Sequence, residues 1–440
     1  MSKRWYIAIA VLAVIAGGLA LAVWEPAIPA ADEASRQDFS PGQVERGKVL
    51  AGIGNCGTCH TVSPDKPFAG GVEFPSPFGS LYSTNISPHP QDGIGRWPRE
   101  AFVRAMREGV SREGSHLYPA FPFTHFKNIT DEDLDALYAY FMTREPVAYT
   151  PPQNDLSFPF NLRFLQWGWK LLFFDPDPWQ PDPERGEQWN RGAYLAKGLG
   201  HCSACHTPRN FMQAEKKDRA YAGALVDNWY ATALDESQPV PVHWDRESLY
   251  EYLREGTSRF QGVAVGSMGE VVHRGLRLAP DSDIRALATY TESLSGGRNN
   301  GNSRQIAAET ITAAQQRARS EYSPGEELYV AACAACHYND PQDPLAVRAE
   351  LSLNSAVTAD DPTNLLRVVM EGVGTGAGTP TLVMPGFSTL SDENLVALAD
   401  FLRERSNLPP WKNLRKRIGE LRELHRQSQP SATGKAGEQP

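Results

Sequence analysis

Apolar residues recur along this chain in one order, three times over. A short helical stripe opened by a glycine comes first, in "ERGKVLAGIGN", "NRGAYLAKGLG" and "SPGEELYVAA". A second amphipathic stripe that ends in glycine follows, in "FVRAMREG", "LYEYLREG" and "LLRVVMEG". The third is longer: "TDEDLDALYAYFM", "DSDIRALATYTESL" and "SDENLVALADFLRER". Each is entered through Thr, Asp or Ser with an acidic first turn, the signature of a capped helix start. A pattern repeated in this way is one supersecondary module used three times. The expected fold class is all-α, with three tandem helical domains over residues 41–149, 185–296 and 322–407. Glycine (37) and proline (34) are plentiful enough to predict long loops between the helices.

Other stretches stand outside the repeats. Residues 5–24 carry no charge, follow Lys3 and Arg4, and precede Glu25, Asp32 and Glu33. A helix of that length covers about 30 Å, so the pattern predicts an N-terminal transmembrane helix with an exported body. The rival is a cleaved signal peptide, for which "AIPAADEA" is an imperfect site. Residues 150–184 mix prolines with an aromatic block over 158–174, too apolar for a flexible linker. They read as a strap packing the first domain on the second, or as a surface for a partner, a quinone or lipid. Residues 297–321 read as a polar linker, partly helical after Arg304. In 408–427, Trp411, Leu414, Ile418 and Leu421 share one helical face beneath a basic one. That helix either lies among lipid headgroups or covers the third domain. Residues 428–440 read as a disordered tail.

The chemistry lies in the cysteines. All six occur as Cys56-Gly57-Thr58-Cys59-His60, Cys202-Ser203-Ala204-Cys205-His206 and Cys333-Ala334-Ala335-Cys336-His337. C-x-x-C-H is the attachment signature of c-type haem. Two thiols so spaced can each add to a haem vinyl group, and the next residue puts an imidazole under the iron. Zinc would not need a histidine directly after every pair, and a redox dithiol usually comes once. Three covalent haems c are therefore expected, with His60, His206 and His337 as proximal ligands. That attachment is made outside the cytoplasmic membrane. The expected location is thus the inner membrane, with the haem domains in the periplasm.

The repeat also supplies a ruler. Twelve residues after Gly372 stands Met384, and twelve after Gly256 stands Met268. Iron in electron-carrying cytochromes c takes a histidine and commonly a methionine sulfur, so these two methionines read as distal ligands. Twelve after Gly109 stands Phe121, which cannot bind iron. His125, four residues on, is the candidate distal ligand of haem one; His116, five before, comes next, and a five-coordinate iron is the remaining option. Met106 aligns with Leu253 and Val369 and reads as core. A His/His pair would lower the potential of haem one relative to the His/Met sites. An open iron would instead favour an alternative function, a multihaem peroxidase-type enzyme.

Composition narrows the rest. A net charge of −9 argues against nucleic acid as a partner. There is no Ser-His-Asp arrangement or phosphate-binding loop, and "GVGTGAGTP" over 372–380 reads as a spacer before Met384. His201 reads as capping or packing beside Cys202. His89, His243, His273 and His425 have no counterparts in the other repeats and read as surface or core. No catalytic site of the chain's own is expected.

Several longer stretches carry a resemblance: "GGVEFPSPFGSLYSTNIS", "HLYPAFPF", "PFNLRFLQWGWKLLFF", "RGAYLAKGLGHCSACHTPRN", "YAGALVDNWYA" and "VMPGFSTLSDENLVALADFLR". Together they span nearly all of 41–407, and the chain resembles the triheme cytochrome c subunits of membrane-bound bacterial dehydrogenases. The resemblance implies three tandem class I cytochrome c domains. It also implies a catalytic subunit as electron donor and ubiquinone or a terminal oxidase as acceptor. Alcohol dehydrogenase members resemble "LYPAMPY" where this chain has "LYPAFPF". The phenylalanine version looks more like the molybdenum-linked branch, whose partners carry molybdopterin and iron–sulfur centres.

Overall fold

The glycine that opens a repeat marks where two helices cross. In the computed structural model, helix Pro41–Ile53 meets helix Asp131–Met142 at Gly47, where a β-carbon would lie 1.9 Å from the Ala136 carbonyl oxygen. Helix Pro324–Ala332 meets helix Asp392–Arg405 at Gly325 in the same way, 2.1 Å from the Ala397 oxygen. Only glycine lets the two backbones approach so closely. The residues described are Arg4, Tyr6, 23–31, 38–296, 302–317, 323–341, 348, 350–374 and 384–428. They separate into two compact units. One is the chain up to Ala204 with Arg209–Glu215 and Arg274–Leu287; the other is Cys205–Pro208, Lys216–His273 and the chain from Ala288 on.

In the first unit, Ser40 caps helix Pro41–Ile53 by accepting the Gln43 amide at 3.2 Å, and Thr130 caps Asp131–Met142 by accepting that of Asp133 at 3.3 Å. Arg46, which precedes Gly47, donates through Nε to Asp133 in the first turn of the partner helix at 2.7 Å, and in the second repeat Arg191 makes a two-pronged bond to Asp283 at 2.8 Å. Helix Arg99–Glu108 ends in a left-handed Gly109 (φ 63°), packed against the Phe123 ring. The strap adds helix Leu165–Phe173, held by Trp169 in a cluster with Phe123 and Ala214.

In the second unit, Tyr329, Leu365, Leu366, Leu395, Leu398 and Phe401 form a core that continues into Trp411, Leu414, Ile418 and Leu421. Burying each such side chain contributes about 1.5–3 kcal/mol. The basic helix Leu414–Ser428 is therefore a cover for the third repeat, which decides between the two readings of that segment. Helix Ser303–Arg317, in the stretch read as a linker, packs Ala307 and Ile311 against Val242, Phe260 and Leu353.

Two expectations are corrected. The fold is mostly helical but not all-α. Antiparallel strands Glu73–Ser76 (β1), Gly79–Tyr82 (β2) and Asp155–Leu156 (β3) form one sheet in the order β1-β2-β3. Ala224–Val226 (β4) with Trp229–Ala231 (β5), and Thr257–Ser258 with Gly262–Val263, form two hairpins. The β4–β5 turn is Asp227-Asn228, both at positive φ (49° and 58°), the conformation that suits the twist of a two-residue hairpin. The expected transmembrane helix, and the inner-membrane anchorage built on it, are also corrected. Among the described residues no helix is long and apolar enough to cross a membrane. Most of 5–24 lies outside the described residues. The stretch that follows is non-helical and tied to the first repeat, with Ile28 N bonded to Arg112 O at 2.8 Å and Ala31 N to Arg96 O at 3.0 Å.

Candidate functional site

Each C-x-x-C-H motif forms a single helical turn directly after the glycine-opened helix. The turns are Cys56–His60, Cys202–His206 and, beginning one residue into the motif, Ala334–His337. The first is reached through Asn55 and the second through His201, both at positive φ (49° and 32°). Asn55 also accepts the Thr58 hydroxyl at 2.7 Å, which ties the connection to the cysteine turn. In the third, Tyr329 Oη donates to the His337 carbonyl at 3.0 Å.

The chemistry of these turns fits haem c. All six cysteines are free of disulfides. Among the described residues no three His, Cys, Asp or Glu side chains converge as a metal cluster. His60 Nδ1 stands 2.7 Å from the Thr84 carbonyl oxygen, and His206 Nδ1 2.6 Å from that of Thr232. A carbonyl can only accept, so Nδ1 carries the proton and Nε2 keeps its lone pair. That is the state in which an imidazole binds a metal, oriented by its outer partner. Burial holds both imidazoles below the ordinary histidine value, and the carbonyl bond partly offsets this. Burial, reinforced by neighbouring Cys59, pushes the Cys56 thiol up to about 12; burial and then Cys336 raise that of Cys333.

The two carbonyls come from equivalent places. Thr84 follows the β1–β2 hairpin and Thr232 follows the β4–β5 hairpin. The hairpins that the helical reading missed are therefore the elements that orient His60 and His206. The signal was present in "SLYST" and "NWYAT", and in the Asp-Asn turn.

Of the candidate distal residues, Met384 lies outside any helix beside Gly372, whereas Met268 and His125 lie on short helices. Met384 is half-buried against the third-repeat core and pairs with Val373 through two backbone bonds of 2.9 Å. There Gly372 (φ 76°) has no room for a β-carbon, which would lie 2.4 Å from the Met384 carbonyl oxygen. Much of the glycine-rich stretch 372–380 lies outside the described residues. Met268 is half-buried on the short helix Gly266–Glu270. Phe121 sits in an aromatic cluster, its ring 5.3 Å from that of Phe126. Met106 is core, as read.

His125 lies on helix Phe123–Phe126, and its Nε2 stands 2.7 Å from Glu215 Oε1. The other carboxylate oxygen of Glu215 accepts the hydroxyl of Ser203, inside the second cysteine motif, at 2.8 Å. His201 packs 6.4 Å from the His125 ring, and burial with the charge of His125 lowers it to about 4. His116 has both nitrogens engaged, Nε2 with the Val23 carbonyl at 3.1 Å and Nδ1 with Lys170 Nζ at 3.1 Å. Glu215 is the member of this group that sequence reasoning missed, because it stands 90 residues from His125.

Comparison with known proteins bears on the same elements. Residues 44–145 match the family model for cytochrome c, and residues 320–402 that for cytochrome c oxidase, cbb3-type, subunit III. Over 96% of its length the chain is 45% identical to a nicotinate dehydrogenase subunit of Pseudomonas putida, and it spans 35% of that protein. It is 36% identical to the cytochrome c subunit of alcohol dehydrogenase (quinone) of Gluconacetobacter polyoxogenes, with 84% of this chain and 82% of the relative aligned. Fructose dehydrogenase cytochrome subunit of Gluconobacter japonicus is 33% identical, with 82% and 78% aligned.

Proposed function

The chain belongs to the cytochrome c subunits of dehydrogenase complexes, electron-transfer chains distinct from the catalytic ones, and from that premise we propose that it carries three covalent haems c in series. When bound, each haem supplies a one-electron carrier that changes little on oxidation if its iron is six-coordinate. The cysteine pairs 56/59, 202/205 and 333/336 hold the groups, and His60, His206 and His337 bind from the proximal side. Met268 and Met384 complete the second and third sites. His125 would complete the first, with Glu215 on Nε2 in the manner of a carboxylate that orients a metal-bound imidazole. The first site then differs from the other two, as a directional relay requires.

The electrons come from a catalytic dehydrogenase subunit and leave to ubiquinone or a terminal oxidase. We assign the donor to the molybdenum-linked group with molybdopterin and iron–sulfur subunits. The "LYPAFPF" loop and the likeness to a nicotinate dehydrogenase subunit support that reading. The observation that carries the haem assignment is the matched pair of Nδ1-to-carbonyl bonds at His60 and His206.

The test is spectroscopic. Met268→Ala and Met384→Ala should each abolish one methionine-to-iron charge-transfer band, and His125→Ala should change the spectrum and potential of the remaining haem. Spectra unchanged in all three variants would overturn the ligand set. Identification of the co-purifying chains as flavoprotein or quinoprotein would overturn the molybdenum assignment.

A further inference from the structure

Thirteen large apolar side chains stand exposed among the described residues, and five of them fall within 158–172. Four lie on or beside one short helix, Leu165–Phe173: Phe164, Leu165, Leu171 and Leu172, the last 72% exposed. Their spacing, with Gly168 between, puts them on one helical face. Gly168 has open space where a β-carbon would point, so the face has a shallow centre that a partner could approach closely.

The opposite face is fixed. Trp169 is buried and donates its indole N–H to the Met212 carbonyl at 2.9 Å. Lys170 Nζ donates to the carbonyls of Glu108 and Gly109 at 2.6 and 2.9 Å and to His116 Nδ1 at 3.1 Å. Phe123, which these residues contact, opens the short helix that carries His125 and follows Phe121. The helix is thus bonded to the segment of the first site while presenting its apolar side outward.

We infer that this face docks the catalytic subunit that donates electrons, receiving an apolar patch of that partner edged with basic side chains. The inference rests on the electron-transfer reading above. Charge selects this occupant. Residues 155–187 hold six acidic side chains against three basic ones. Of the three, Lys170 is turned inward, Arg163 donates to the His116 carbonyl and lies on the Tyr118 ring, and Arg185 is shared with Asp182. Asp177, Glu184 and Glu187 are exposed along the same stretch. Helices that bind anionic lipid surround the apolar face with Lys and Arg; here the exposed charges that follow the helix along the chain are mainly acidic, which suits a basic-edged protein surface.

The experiment uses the full-length holoprotein and the dehydrogenase chains that co-purify with it. Reduction of the cytochrome by the substrate-reduced dehydrogenase is followed against cytochrome concentration. In the Leu171→Glu/Leu172→Glu variant the half-saturating concentration should rise about tenfold or more, with haem spectrum and unfolding midpoint unchanged. Asp177→Lys should raise it by a smaller factor and weaken its dependence on salt. An unchanged concentration dependence in the double variant overturns the docking face. So does a variant whose only loss is adhesion to phosphatidylcholine/phosphatidylglycerol vesicles, or whose only loss is self-association in sedimentation. If the dehydrogenase fails to reduce even the wild-type protein, the electron-transfer reading falls and takes the docking face with it.

Discussion

Helix Leu165–Phe173 in the first unit and helix Leu414–Ser428 in the second both lie outside the repeats, and both belong to segments with large apolar side chains at helical spacing. In the second, the stripe is spent on the core: Ile418 is fully buried, and Trp411 donates its indole N–H to the Ala359 carbonyl at 3.0 Å. Arg403 lies over the Trp411 ring, so a cation secures what the apolar contacts begin. In the first, one face is anchored by Trp169 and Lys170 while Leu171 and Leu172 stay in solvent. Similar composition therefore serves opposite ends. An apolar stripe with a basic back covers a domain, and an apolar stripe followed in the chain by acidic residues is left open.

The comparison can be broken by substitution. Ile418→Asp should have the largest effect, at least about 4 kcal/mol, because it buries an unpaired carboxylate. Urea unfolding followed by circular dichroism would measure it, and a loss below about 1 kcal/mol would mean the helix does not cover the core. Trp169→Ala should cost about 3–5 kcal/mol through the lost ring volume and leave the Met212 carbonyl without its donor. Hydrogen exchange should then speed up across helix Leu165–Phe173. Smallest is Leu171→Glu with Leu172→Glu, which should move stability by no more than about 0.5 kcal/mol per site. A larger loss would show that this face is covered within the chain.

Much of this was legible in advance. The cysteine motifs are local and needed no fold to be read. The repeat glycines announced themselves by spacing, and the structure supplies their reasons: helix crossings at Gly47 and Gly325, and positive φ at Gly109, Gly256 and Gly372. Thr130 and Ser391 cap the helices they were read to start.

What escaped is of another kind. The hairpins are two to four residues per strand, too short for an alternating pattern to outweigh the helical signal around them. The acceptors of His60 and His206 are backbone carbonyls, which no side-chain identity reveals. The Glu215 contact to His125 spans 90 residues and is made by the fold alone. For 408–427, hydrophobic spacing defined the apolar stripe, but only packing could say what it faced.

The central claim is that the three C-x-x-C-H turns hold haem through covalent bonds. Mass spectrometry of the denatured mature chain tests it most directly. The account predicts a mass increment of three haems that survives acid–acetone extraction, with thioether-modified peptides at Cys56/Cys59, Cys202/Cys205 and Cys333/Cys336. A chain that loses its colour on extraction, or that yields unmodified cysteines at these positions, would contradict it.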